Sequence, residues 1–128
     1  MGELTANVNW LAVIAGAMLA FLLGWLWYSP WLFGAKWAEG VGVKMGAATA
    51  MPVAPMVAQA IATLFLSWVV GVTAAANALA TIILVAVTIA LLIAAGGLFA
   101  GKSRYAIYAE AGFVLAMVLV MIVIQGIL

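Results

Sequence analysis

Cysteine, histidine and aspartate are absent from this 128-residue chain, and charge of either sign is scarce. Without Cys or His there is no thiolate, no disulfide and no zinc site of the usual ligands. Without His or Asp a Ser-His-Asp or Cys-His arrangement has no base. The charged residues are Glu3, Lys36, Glu39, Lys44, Lys102, Arg104 and Glu110, 5% of the chain, for a net charge of +1. A water-soluble domain carries about 25% charged residues because its surface must be solvated. Four scattered basic residues make no nucleic-acid footprint. Neither an enzyme nor a cofactor-dependent protein is expected from this set, and no nucleic acid is expected as partner.

What is present is apolar: 71% of residues are hydrophobic. The runs divide into four, about 8–28, 55–73, 79–99 and 107–128. Each has roughly 20 residues, enough to cross a ~30 Å hydrocarbon layer as a helix. The runs lack the period-2 alternation of barrel strands, so helices are the form that satisfies their backbone in lipid. The expected fold is all-α: an integral membrane four-helix bundle, residues 1–128 forming a single membrane domain, with the lipid bilayer as its first partner.

The connections differ in kind. Pro30-Trp31-Leu32-Phe33-Gly34-Ala35-Lys36-Trp37 mixes aromatics with lysine, which predicts a short interfacial helix after the first span. Gly40 to Pro55 is rich in Gly, Ala and Pro and is expected to be irregular. Between the second and third spans, Asn77 is a candidate turn or cap. All four basic residues fall in the first and third connections, so the positive-inside rule places that side in the cytoplasm and both termini outside, in a cell (inner) membrane. The first span lacks the basic n-region of a cleaved signal peptide and is too long for one.

Several motifs bear on function. Gly96 to Ser103 satisfies the phosphate-loop pattern G-x4-G-K-S, but that pattern works between a strand and a helix. Here it ends a membrane helix, with no Asp to support a metal ion, so no nucleotide is expected. Glu110 stands six residues past Arg104, about 9 Å deeper along a helix. An intramembrane ionisable group is by default a functional-site hypothesis. The other reading pairs it near the headgroups with Lys102, Arg104 or Tyr108. Glu110, Val114, Met117, Met121 and Gln125 share one helical stripe. Gln59, Thr63 and Ser67 form another in the second span, and Thr81 and Thr88 in the third. Glu110, Gln59, Thr63, Ser67 and Gln125 are thus the candidate intramembrane polar site. They either line a pathway or hold helices together, the latter worth roughly 0.6–2 kcal/mol per contact. Gly16, Ala20 and Gly24, like Ala86, Ala90 and Ala94, recur every four residues. Small residues at that spacing let helices approach closely, within the bundle or between copies.

Asn9-Trp10, the Gly-bearing first span, Trp27-Tyr28-Ser29-Pro30-Trp31, Phe33-Gly34 and Trp37 resemble the domain-of-unknown-function 1761 family of small prokaryotic membrane proteins. Gly101-Lys102 and Gly112-Phe113 resemble that family's later Gly-basic and Gly-aromatic pairs. The resemblance implies a four-span bundle and brings no activity. Trp27, Tyr28, Ser29, Pro30 and Trp31 form a candidate interfacial motif, a polar notch or an aromatic anchor. Two functions remain in view. One is a non-enzymatic module that forms a homo-oligomer or serves another membrane protein. The other is an oligomeric transporter or channel coupled through Glu110.

Overall fold

In the computed structural model, residues 2–29, 31–42 and 53–128 are described. Along them run α1 (Gly2–Thr5), α2 (Trp10–Trp27), α3 (Gly34–Val41), α4 (Val53–Ala75), α5 (Leu79–Phe99) and α6 (Arg104–Ile127). No strand occurs among the described residues. Helices α2, α4, α5 and α6 are long and apolar enough to cross a membrane, and between 22% and 39% of each span is buried by the chain itself. The remainder is an apolar surface suited to hydrocarbon rather than water, as expected where lipid replaces the polar exterior. The chain is an all-α, multi-pass membrane protein.

Local chemistry explains where the helices begin and end. The Asn9 side chain accepts from the Ala12 N–H, capping α2, and Ser103 accepts from the Ala106 N–H, capping α6. Asn77 takes the left-handed conformation that ends α4 (φ 55°). The Ala78 N–H reaches the Thr73 carbonyl at 2.8 Å and that of Asn77 the Ala74 carbonyl at 3.2 Å. Gly101 (φ 73°) does the same for α5, with Lys102 N–H on the Gly97 carbonyl at 3.0 Å. Both ends satisfy carbonyls that a helix terminus leaves open and reverse the chain within a few residues. The Gly96–Ser103 sequence is therefore a helix end followed by a helix cap, with no strand entering it.

The irregular stretch expected over Gly40 to Pro55 is shorter. Gly40 and Val41 belong to α3, which Gly42 ends at φ 78°. Ala54 and Pro55 already belong to α4, since the first-turn N–H groups have no intrahelical partner and a proline there forfeits nothing. Residues 43–52, including Lys44, lie outside the described residues, as does Pro30. The helix expected over Pro30–Trp37 starts later, at Gly34. Before it, Phe33 N–H bonds to the Trp27 carbonyl and Gly34 N–H to that of Ser29, holding the chain in a turn.

Helix α6 is the hub, packing against α2, α3, α4 and α5. The core gathers Ala20, Val70, Ile82, Ala86, Phe113, Val114, Met117, Val118 and Met121. Both small-residue stripes are spent inside the bundle. A Cβ on Gly16 would stand 3.0 Å from the Ser67 hydroxyl, and one on Gly24 2.8 Å from the Phe113 ring. Ala86 and Ala90 are buried on α5. Ser67, fully buried, donates to the Val13 carbonyl at 2.7 Å and ties α4 to α2. Thr81 and Thr88 correct the expectation of an inward stripe on α5. Both are exposed, and Thr88 returns its proton to the Leu84 carbonyl of its own helix.

The crossing of α5 and α6 can be tested at adjacent glycines. A Cβ on Gly97 would lie 2.6 Å from Ile107, whereas one on Gly96 meets nothing within 4 Å. Gly97→Ala is expected to lower the unfolding free energy by roughly 1–3 kcal/mol, the usual range for overpacking. Gly96→Ala is expected to leave it unchanged or slightly raised. Unfolding by titration with a denaturing detergent measures both.

Candidate functional site around Glu110

Glu110 sits in the second turn of α6, where its carboxylate meets groups from two other parts of the chain. The Lys102 ammonium lies 3.0 and 3.1 Å from its two oxygens. The Trp37 indole N–H, from α3, donates to Oε2 at 2.9 Å. The side chains of Lys102 and Glu110 are 32% and 17% exposed. Of the three partners the sequence offered, Lys102 is the one engaged, because the turn after α5 brings its stem back along the first turns of α6. Arg104 and Tyr108 are exposed and make no bond to Glu110.

Aromatic rings enclose this pair. Tyr28 packs against Trp37 and Phe113, with centroids 5.0 and 5.3 Å apart. Trp27 packs on Phe33 at 4.7 Å and donates its indole N–H to the Ala109 carbonyl at 3.0 Å. Phe33 reaches Tyr105, over whose ring Lys36 lies at 5.3 Å. Gly40 lets α3 close onto α6: any Cβ there would collide with Ser103, whose N–H bonds to the Gly40 carbonyl. The residues that carried the resemblance at both ends of the sequence, Trp27, Tyr28, Phe33 and Trp37 with Lys102, Gly112 and Phe113, thus meet at one end of the bundle.

The interfacial motif divides. Trp27 and Tyr28 face inward to this cluster. Ser29 donates to the Leu26 carbonyl at 2.6 Å, a helix-end bond rather than part of a notch. Trp31 is 87% exposed and suits an interfacial anchor.

The polar candidates divide too. Gln59 and Glu110 line one cavity of about 380 Å³, together with Tyr28, Lys102, Gly96 and Phe113. Thr63 and Ser67 are buried; Thr63 bonds to Gln59 within α4, and Ser67 bonds across to Val13 of α2. Gln125 lies fifteen residues beyond Glu110, about 22 Å along α6. Its Nε2 is buried without a partner among the described residues, beside Gly71. Five residues on polar stripes thus form one site with two members, one tie within α4, one interhelical tie and a remote amide. The sequence reading singled out neither Trp37 nor Gly96 for this site: Trp37 and Glu110 are 73 residues apart, and no spacing rule links them. No cluster of three carboxylates that could hold a metal ion occurs among the described residues.

Removing either member of a half-buried pair strands the other's charge, at a cost that exceeds the worth of the pair. Lys102→Met and Glu110→Gln are each expected to lower stability by roughly 1–2 kcal/mol. The double variant is expected to lose less than the sum of the two. A double-mutant cycle on unfolding in mild detergent reads the coupling.

No curated protein and no solved structure matches the chain. A family model matches residues 11–126 and so takes in the four spans and every element of the Glu110 site. The chain belongs to the family described as Protein of unknown function (DUF1761).

Proposed function

We propose that the chain is a non-enzymatic membrane module that associates with a second copy of itself through the outer face of α4. One observation carries this reading. Ala54, Ala58 and Ala62 stand at four-residue spacing on α4 and all three are exposed, while no residue from Ala54 to Ala62 is buried. The other two small-residue stripes pack inside the bundle, whereas this one is uncovered among the described residues and offers itself to a neighbour. Close approach over small residues is how membrane helices associate without a hydrophobic driving force. In the accessory-subunit form of the reading, a helix of another membrane protein takes the second copy's place.

The Glu110 site supports this reading over coupled transport. Both carboxylate oxygens are engaged by Lys102 and Trp37, whereas a carboxylate that loads a proton or cation needs an oxygen open to the path. With no thiol, imidazole or aspartate in the chain, the commonest nucleophile–base pairs of catalysis have no members here, which supports a non-enzymatic module. Lys36, Lys102 and Arg104 gather at the Glu110 end, which we assign to the cytoplasmic side of the cell membrane, with both termini outside.

Single-molecule photobleaching in liposomes at falling protein-to-lipid ratio tests the association. The wild type is expected to show two-step bleaching, and Ala58→Leu to weaken the dimer at least ~10-fold, equivalent to about 1.4 kcal/mol. Leu91→Ala, on the lipid face of α5, is expected to change nothing. Single-step bleaching of the wild type at every ratio overturns the reading. Reporter fusions at the C-terminus test the orientation: a fluorescent protein that matures only in the cytoplasm is expected to stay dark, and a periplasmic phosphatase to be active.

A further inference from the structure

The inner side of the same half-helix shows something else. Met56 and Gln59 look toward the bundle but stop short of α6, and two cavities adjoin beneath them. One, about 560 Å³, lies between α2 and α4 against Phe21, Leu22 and Trp25. The other is the 380 Å³ cavity holding Lys102 and Glu110. Tyr28, Gln59 and Phe113 line both. We propose that the joined cavities bind an uncharged amphipath with a planar, carbonyl-bearing head and an apolar tail, the chemistry of a lipid-soluble quinone.

Five observations select that class. The volumes fall in the range of small-molecule pockets, roughly 300–1,000 Å³. The Lys102–Glu110 pair makes the inner compartment neutral, so a phosphate headgroup would bring a net negative charge against Glu110 with no second cation among the described residues that line it. The spare polar capacity includes two donors. The Tyr28 hydroxyl makes no hydrogen bond among the described residues, and the Lys102 ammonium has three protons with Glu110 its one partner there. Both donors suit a carbonyl oxygen, and the Gln59 amide, which lines both cavities, adds an acceptor for a second polar group of the head. The walls offer aromatic surface and room: Tyr28 and Phe113 pack on one another at 5.3 Å with both rings lining the cavity, and Gly96 and Gly97 contribute no side chain. The outer compartment is apolar and adjoins the exposed Leu22 and Trp25, so a tail enters it from the hydrocarbon. The proposal concerns binding alone, with no electron transfer.

Decylubiquinone is the probe, titrated into the full chain in phosphatidylcholine nanodiscs and followed by quenching of tryptophan fluorescence. Saturable quenching at one quinone per chain is expected. Tyr28→Phe keeps every ring contact and loses only an unpartnered hydroxyl, so it is expected to fold normally and to bind about five- to tenfold more weakly, the worth of one hydrogen bond. Gly96→Leu places a side chain in the cavity where a Cβ meets nothing within 4 Å, and is expected to abolish saturable binding with unfolding unchanged. Non-saturable quenching equal in all three proteins overturns the proposal. So does saturable binding that neither substitution alters. Displacement of the quinone by phosphatidylglycerol, with retention of that lipid on native mass spectrometry, overturns it in favour of an anionic lipid. None of these outcomes depends on whether the chain dimerises.

Discussion

A carboxylate held near the membrane boundary governs the architecture of one end of this protein. Glu110 faces a desolvation cost that its helix cannot offset alone. The chain meets it by bringing a cation back over the α5–α6 turn and an indole N–H down from α3. Each supplier then needs its own support. Lys102 depends on the left-handed Gly101 that turns the chain. Trp37 depends on α3 lying flat on α6, which the missing side chain of Gly40 permits. The aromatic cluster follows, since Tyr28 and Trp27 pack against the rings and carbonyls that this docking places beside them. A loop segment and an inter-helix turn thus become parts of one pair's environment.

The bundle is unequal along its length. Away from Glu110, Ser67 bonds the α2 backbone, Gly16 admits Met121, and Val70, Ile82 and Met121 fill the interior. Near Glu110, α4 stands off and the Phe113 ring fills the notch over Gly24. In water an open apolar cleft would collapse under the hydrophobic effect. In a bilayer that pressure is absent, because lipid tails are as apolar as the side chains they touch. A gap can then persist wherever polar groups fix its rim. Here the rim is the Lys102–Glu110 pair, held at the end that α3 closes.

Much of this was legible in the sequence, and the failures have physical reasons. The four spans followed from length and apolarity, and Asn77 was readable as a cap because asparagine tolerates the left-handed conformation. The stripe of Gly16, Ala20 and Gly24 signalled close packing but could not name its partner, since small residues serve any neighbour. Thr81 and Thr88 misled because α5 is apolar all round. A hydroxyl that bonds back to its own helix faces lipid as readily as protein, so its periodicity carries no inward direction. The stripe of Ala54, Ala58 and Ala62 went unread because its first member fell in the stretch before Pro55 that read as irregular, leaving two alanines in the span. Lys102 could be offered as a partner for Glu110 because it is local. Trp37 could not, because its contact is set by the tertiary docking of α3.

The closed half also bears on which functions the fold can support. A route across the membrane would have to join the Glu110 cavity to the region of Gln125. Between them α6 presents Val114, Met117, Val118 and Met121, all buried, against Ser67 and Thr63, whose hydroxyl protons are already committed to backbone carbonyls. Water finds few partners along such a stretch, and a buried water typically makes two to four hydrogen bonds. The unpaired amide of Gln125 lies beyond this plug rather than at the end of a path. Within a single chain this packing supports the proposed reading, in which the cleft holds a ligand or a neighbouring helix rather than passing a solute through. The feature that favours binding over conduction is thus not the charged residue itself but the tightly packed methionines and valines behind it.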